Sequence, residues 1–332
     1  MAAPQPAMAV PREITHKTTN LIHKSNASIH YIFARGPPKD NILVVFLNGL
    51  MTDAVTWLPV IAGIIRQRKG SEEGFPSMLS YDRYGQGMTE DRDPQDQGKE
   101  RGHGHDCADA AEDLRRLLDH IAMEEMGTRV ERLRIVLVAN SIGCAIGRLY
   151  AQGYPVTALL MLDSIMANST FDFWPDPEAP GFSKAELPED VTVEVLREQR
   201  AKFAAIFRPD GMNKEGLSRR DLAKLLPDSD GPMLGKKGDR PLVTVVGHGF
   251  EAFAKESLKT MGTPIGLSMK FSNPIWHKYN QGLAQITDKE RSKGPIQAKG
   301  CGHFIQRDDP ALVVSETLEL VDKVRRQESA IW

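Results

Sequence analysis

This 332-residue chain has few cysteines, little net charge and no long apolar run. Its three cysteines are scattered and form no CxxC pair, which argues against a disulfide framework and a structural zinc site. No apolar run approaches the roughly 18 residues that a membrane-spanning helix requires. The formal net charge of −2 gives no basis for binding nucleic acid or an anionic membrane surface.

The first residues carry no basic segment followed by an apolar one, so we expect no secretory signal. Hydrophobic residues make up 41% of the chain, which is enough for a sizeable core. We therefore expect a cytoplasmic enzyme, and nothing in the sequence indicates its oligomeric state.

Short apolar runs alternate with helical patterns along most of the chain, which predicts an α/β fold with a mostly parallel sheet between helices. An antiparallel hairpin is predicted over residues 14–34, with its turn at 24–26. Further strands are predicted at residues 42–47, 78–81, 135–139, 157–162, 242–246 and 295–299. Helices are predicted at residues 106–123, 142–153, 191–207, 217–226, 250–260 and 310–326.

Residues 164–240 interrupt this alternation with several prolines and two amphipathic stretches. We expect them to form a helical lid, inserted after the strand that ends at Asp163. The core would then consist of residues 1–163 and 241–332, and residues 1–12 would be loosely structured.

The most informative segment is residues 135–151, where an apolar run ends at a small-x-Ser-x-Gly turn before a helical pattern. This arrangement places a serine hydroxyl at a sharp bend between strand and helix, as a nucleophile elbow does. Ala139 and Gly143 are small, which suits the close approach of strand and helix. Ser141 is therefore the predicted nucleophile.

A serine nucleophile needs a base to take its proton and a carboxylate to orient that base. His303 is the predicted base, since it follows a short predicted strand on a glycine-containing loop. Asp163 is the preferred acid because it ends an apolar strand, and open α/β folds keep their sites at the carboxyl ends of strands. Backbone N–H groups of Ile142 and Leu50 are predicted to hold the oxyanion.

The chain resembles the α/β-hydrolase fold superfamily over residues 14–327, and four blocks of sequence carry the resemblance. In chain order they are Leu47-Asn48-Gly49 through Trp57, Tyr81 through Gly87, the elbow, and Gly302 through Gln306. The order Ser141, Asp163, His303 matches the triad order of that superfamily. The Asn-Ser-Ile-Gly elbow and the Trp-Pro-Asp-Pro stretch also resemble fungal hydrolases of secondary metabolism.

The chain departs from the superfamily pattern at three places. Asn48 and Asn140 replace residues that are often histidine, and both are predicted to lie beside the oxyanion site. The usual acid position follows the strand 242–246, where no aspartate is present, so Glu251 is the fallback to Asp163.

Several further side chains are predicted to contact the substrate, and Phe171 and Trp174 could equally form the core of the lid. A metal could be imagined at His103, His105 and Asp106, but no further ligands complete the site, and Asp106 suits a helix cap better. We expect no metal and no cofactor. The predicted substrate-binding residues are Asn48, Asn140, Phe171, Trp174, His248 and Trp276.

Together these residues predict a serine hydrolase that cleaves a carboxylic ester, lactone or thioester of an apolar small molecule through an acyl-enzyme. Two alternatives stay open on this fold. The His303–Asp163 pair could act as the base of a cofactor-independent C–C hydrolase, lyase or oxygenase, or the protein could bind a ligand without turnover.

Overall fold

The computed structural model describes residues 11–100 and 102–329, so most of the predicted loose segment 1–12 lies outside the described residues. Eight strands form one sheet in the order β1-β2-β4-β3-β5-β6-β7-β8. The strands are β1 (Ile14–Leu21), β2 (Lys24–Ala34), β3 (Ile42–Leu47), β4 (Ser77–Tyr81), β5 (Arg134–Asn140), β6 (Ala158–Leu162), β7 (Leu242–His248) and β8 (Ser292–Ala298).

Only the first hairpin and the β2–β4 contact are antiparallel, and every pair from β4 to β8 is parallel. The α-helices are α1 (Leu58–Arg68), α2 (Cys107–His120), α3 (Ile142–Gly153), α4 (Val193–Phe207), α5 (Leu222–Leu225), α6 (Phe250–Met261), α7 (Ile265–Leu267), α8 (Asn273–Leu283), α9 (Ile305–Asp308) and α10 (Pro310–Ser329). Short 3-10 helices lie at Ala54–Trp57, Pro94–Asp96, Val130–Arg132, Lys184–Glu186 and Lys289–Arg291. Short π-helical segments lie at Ile121–Glu125 and Ser268–Ser272. The predicted mostly parallel sheet flanked by helices is confirmed.

The central strands are apolar because both faces of the sheet are covered by helices. Successive side chains of a strand point to opposite faces. Leu137 accordingly belongs to the core that contains Leu114 of α2 and Ile146 of α3. Its neighbour Val138 belongs to the opposite core, which contains residues of α1 and α10 such as Val321.

Several details differ from the sequence predictions, among them α1, for which no helix was predicted. The hairpin turn falls at residues 22 and 23, because Lys24 already pairs with Leu21 and buries its ammonium against two carboxylates. Residues 217–226 contain only the short α5, since Ser218 instead bonds to the His105 carbonyl. Residues 261–294, for which no element was predicted, contain α7 and α8.

Asp106 forms the N-cap of α2 with a complete capping box, as predicted. Among the residues of the described ranges, no helix combines the length and apolarity needed to cross a membrane. The chain between β6 and β7 leaves the sheet for residues 163–241, and this excursion contains the predicted lid. Loops at the carboxyl ends of β3, β5, β6 and β7 meet at one edge of the sheet.

Candidate active site

Ser141 occupies a sharp bend between β5 and α3. Its backbone has φ 57° and ψ −122°, a conformation that is costly for a residue with a side chain. Its N–H donates to the Leu162 carbonyl at 3.2 Å, which fixes the bend to the neighbouring strand. A Cβ on Gly143 would stand 2.5 Å from the Leu47 carbonyl oxygen, so only glycine fits there.

His303 is held beside this bend by three contacts. Its Nδ1 lies 2.6 Å from Oδ2 of Asp163. Its backbone N–H donates to Glu256 at 2.7 Å, and its carbonyl accepts from the Asn140 amide at 3.0 Å. Because Asn140 directly precedes Ser141, this bond ties the backbone of the predicted base to the segment that carries the predicted nucleophile.

Asp163 is completely buried, and each of its carboxylate oxygens contacts a different histidine. Oδ2 contacts His303, whereas Oδ1 lies 2.8 Å from Nδ1 of His248 and accepts its backbone N–H at 3.2 Å. Burial by itself would raise the pKa of Asp163, but the charges and hydrogen bonds of the two histidines outweigh it, and that pKa lies well below its usual range.

His248 was predicted to contact substrate, but its side chain lies in the protein interior. Its Nε2 is 3.0 Å from Oδ1 of Asn273, and its ring stacks on Phe253 at a centroid distance of 4.1 Å. Burial by itself would lower the pKa of His248, but Asp163 and Asn273 outweigh burial and raise that pKa. This side chain is 2% exposed, so its contacts are with Asp163, Asn273 and the surrounding core.

The loop after β3, which carries the predicted donor Leu50, lies against the elbow. A Cβ placed on Gly49 would be 3.3 Å from the Ser141 Cβ. Ile142 opens α3, and the first N–H groups of a helix have no partner within it. The predicted donors of Leu50 and Ile142 therefore belong to two segments that meet at the serine.

Asn48 and Asn140, which were predicted to bind substrate, are buried, and their side chains form hydrogen bonds within the protein. The Asn48 amide donates to the Tyr81 carbonyl and to Gln86, and its oxygen accepts from Trp57 at 2.8 Å. The Asn140 amide donates to two backbone carbonyls, those of Leu162 and His303. Both side chains position loops of the site.

Aromatic side chains extend from the base into the 163–241 excursion. The Trp276 ring lies 5.7 Å from the His303 ring, and its indole N–H donates to the Ser164 carbonyl. Phe171 packs edge-on against Trp276 at 6.0 Å. Trp174 lines a cavity of about 420 Å³ together with Phe171 and Phe203. All four rings are largely buried, and Trp276 lies on α8.

Glu251 lies away from this cluster. Its side chain is 81% exposed, and its contact is with Lys255 at 3.9 Å. The carboxylate that reaches His303 is therefore Asp163, and the fallback assignment to Glu251 is not supported by the geometry.

Backbone strain is concentrated around the cluster. Within residues 11–100 and 102–329, positive φ angles at non-glycine positions occur at Met51, Ser141, Asp163 and Phe171. Such conformations cost free energy and persist where surrounding contacts enforce them, often at functional sites. Two of these residues are the predicted nucleophile and acid, and Met51 adjoins the predicted donor Leu50.

Sequence reasoning missed a set of polar residues that support the site. Arg83 and Gln86 stand in one of the four recognised blocks, but no role was predicted for either. Glu215 lies in the excursion, and no local pattern singled it out, although its carboxylate contacts both residues. Glu256 and Asn273 hold the two histidines through bonds that depend on the folded structure.

His103 and His105, considered above as possible metal ligands, do not converge on one point. His105 is buried against Asp96 at 3.0 Å, whereas His103 lies near Arg220. Nowhere in the described part of the chain are three or more His, Cys, Asp or Glu side chains grouped to hold a metal ion.

Comparisons with known proteins agree with this architecture. Structural neighbours include a peroxisomal alpha-beta-hydrolase from Saccharomyces cerevisiae, with 13% identity and a TM-score of 0.54 over 96% of this chain and 90% of that one. An epoxide hydrolase from Vigna radiata has 13% identity and a TM-score of 0.52 over 94% and 98%. At these identities the likeness concerns the fold alone.

A search of curated proteins found no match. The family model of the alpha/beta hydrolase family matches residues 44–316, which include the elbow, both ends of the excursion and His303. The chain therefore belongs to the alpha/beta hydrolase family.

Proposed function

We propose that this protein is a serine hydrolase that cleaves a carboxylic ester, lactone or thioester of an apolar small molecule. The observation that carries the proposal is the 2.6 Å contact between His303 and Asp163 beside the strained Ser141 elbow. A buried carboxylate, an imidazole and a serine at a bend are the parts that acyl transfer through a covalent intermediate requires.

The orientation of His303 suits a general base. Its Nδ1 faces Asp163, so that nitrogen carries the proton, and Nε2 is left to accept the Ser141 proton. As Ser141 attacks the carbonyl carbon, the imidazole becomes an imidazolium, which the Asp163 carboxylate stabilises. The imidazolium then protonates the leaving group, and a water molecule activated by the same histidine releases the acyl group.

The oxyanion that forms during attack would be held by backbone N–H groups. Ile142 supplies one at the start of α3, and Leu50 supplies the other from the loop against the elbow. Donors fixed in advance of the reaction stabilise the developing charge without reorganisation, and each is worth on the order of 3 kcal/mol.

The aromatic side chains support an apolar substrate. Trp276 borders His303 and contacts Phe171, which together with Trp174 lines the cavity of about 420 Å³. Ser141, Asp163 and His303 are not among the residues that line this cavity. Arg200 and Asp172 also line that cavity and pair with each other at 2.6 Å. We propose that residues 164–240 act as a lid that selects the substrate and excludes water.

A covalent serine probe tests the proposal. A fluorophosphonate should label the wild type at Ser141, and p-nitrophenyl butyrate should be hydrolysed. Ser141→Ala should lose both, and His303→Ala should lose most of both. Ser71→Ala is a matched control, because its hydroxyl lies on the exposed turn after α1 and bonds to Arg68.

Other outcomes identify the alternatives. A folded wild type that neither labels nor hydrolyses esters would contradict the proposal. Base-dependent C–C cleavage, lyase or oxygenase activity that requires His303 but not Ser141 would then favour the second enzymatic class. Ligand binding without any turnover would favour a non-catalytic protein. The cytoplasmic location and the fungal secondary-metabolism resemblance stay predictions.

A further inference from the structure

Glu215 belongs to the 163–241 excursion, yet its carboxylate is buried among residues of the sheet loops, with 1% exposure. One oxygen accepts from the Met51 backbone N–H and from the Gln86 amide, the latter at 2.9 Å. The other accepts from Nε and Nη2 of Arg83, at 3.1 and 2.9 Å. A buried carboxylate is costly without such partners, and here both oxygens have two donors each.

The same partners fix the peptide groups around Leu50. Arg83 donates to the Asn48 carbonyl at 2.9 Å and to the Gly49 carbonyl at 3.0 Å. Gln86 also donates to the Gly49 carbonyl at 3.0 Å. In a planar trans peptide the N–H points opposite to the preceding carbonyl. Anchoring the Gly49 oxygen on Arg83 and Gln86 therefore aims the Leu50 N–H away from that pair.

The turn that carries Glu215 is itself firmly held. The Asn213 side chain accepts from the Gly216 N–H at 3.0 Å and donates to the Leu217 carbonyl at 2.7 Å. Ser218 bonds to the His105 carbonyl at 2.7 Å. Gly85, with φ +73°, lies so close that its Cβ would be 3.1 Å from the Glu215 Cα. The Glu215 carboxylate is thus held in one position.

We infer that Glu215 is a positioning residue that holds residues 48–51, the proposed oxyanion loop, in the conformation that aims the Leu50 N–H at the reacting centre. The inference rests on the proposed serine hydrolase function. Through Glu215, the 163–241 excursion would contribute to transition-state stabilisation as well as to substrate selection. A loop held in this way affects the tetrahedral intermediate more than the bound ground state.

The test compares transition-state binding with ground-state binding. Glu215→Gln keeps the shape of the side chain but replaces one carboxylate oxygen with an amide NH₂. That NH₂ then faces groups that are themselves hydrogen-bond donors. We expect kcat/KM for p-nitrophenyl butyrate to fall about 10- to 100-fold. The Ki of an alkyl trifluoromethyl ketone, which forms a tetrahedral adduct with the serine, should rise by a similar factor. The Ki of butyrate, a ground-state product, should change less than about threefold.

Arg219→Gln is the matched control. Arg219 is also buried in the excursion, but it donates to the carbonyls of Ile206 and Arg208 and does not contact the loop. The Arg219→Gln substitution should lower the melting temperature without changing the ratio of the two Ki values. A folded Glu215→Gln enzyme with an unchanged ratio would overturn the inference.

A second variant covers the case in which Glu215→Gln does not fold. Arg83→Lys keeps the positive charge, but one ammonium group cannot replace the bonds that Arg83 makes to Asn48, to Gly49 and to one oxygen of Glu215. It should change the same Ki ratio, and an unchanged ratio in the folded variant counts against the inference. A wild type that fails to bind the ketone contradicts the proposed function instead.

Discussion

His248 and Asp163 form a buried pair in which both imidazole nitrogens face acceptor oxygens. Nδ1 contacts Asp163 at 2.8 Å, and Nε2 contacts Oδ1 of Asn273 at 3.0 Å. The Asn273 amide nitrogen donates to the Phe250 carbonyl at 3.1 Å, which turns its oxygen toward His248. Acceptors at both ring nitrogens favour the protonated imidazolium beside the proposed catalytic carboxylate, and the pKa of His248 is accordingly raised.

His248→Gln should reduce stability in a pH-dependent way. The pKa of Asp163 is lowered, so its contribution is present above about pH 4 and is lost as pH falls. The pKa of His248 is raised, so its contribution is present below about pH 6.5 and is lost as pH rises through that raised value. The difference in unfolding free energy should thus be largest between those limits. Urea unfolding over a pH series measures it.

His277→Gln serves as the control for this series. Its ring contacts Phe250 and Gln281 rather than a carboxylate, so the change in stability should be small at every pH. A pH-independent loss in His248→Gln would contradict the ion pair. Glu256 adds to the raised pKa of His248, so Glu256→Gln is a useful second comparison.

Asp163→Asn should lower kcat by three or more orders of magnitude, because an amide can neither fix the tautomer of His303 nor stabilise its cation. Glu251→Gln should keep kcat close to that of the wild type, since that side chain is exposed on α6. Steady-state ester hydrolysis distinguishes the two. The opposite ranking would make Glu251 the acid and would contradict the assignment.

Gly143→Ala should destabilise the protein by at least about 2 kcal/mol, because its Cβ would overlap two backbone carbonyls that cannot move aside separately. Gly153→Ala at the other end of α3 is the matched comparison, since nothing lies within 4 Å of its Cβ. That change should stay within about 1 kcal/mol of the wild type. Chemical denaturation gives both values, and equal costs would refute the close approach at the elbow.

Asn140→Ala should lower kcat about 10- to 100-fold while KM changes less than about threefold, because the side chain anchors the His303 carbonyl rather than a substrate. Asn41→Ala is the control. Asn41 lies just before β3, and its amide donates to the Arg132 carbonyl. Kinetics with p-nitrophenyl butyrate decide the matter. A rise in KM with an unaltered kcat would restore the original prediction of substrate binding.

Much of the fold could be predicted because local pattern and tertiary environment agree. The apolar runs of β3 and β5 are buried on both faces, so their composition alone indicates central parallel strands. The elbow is equally local: Ser141 and Gly143 fit a single strand-to-helix geometry. Asp106 capped α2 as its sequence context indicated.

The remainder depends on contacts between distant segments. Helical periodicity at residues 217–226 was overridden by the bonds that hold the turn around Glu215, so only α5 forms. Asn48 and Asn140 are polar residues beside a serine, and sequence alone cannot tell that their amides face carbonyls of the protein. His248 occupies the usual acid position, but its partnership with Asp163 exists only because β6 and β7 are adjacent.

The division of the cluster along the chain has a practical consequence. Residues 235–239 are exposed and separate Ser141, Asp163 and Glu215 from His248 and His303. A nick there would yield two fragments, one with the nucleophile and acid and the other with both imidazoles. If the proposed triad is correct, neither fragment contains a complete relay, so ester hydrolysis would require the two fragments to reassociate.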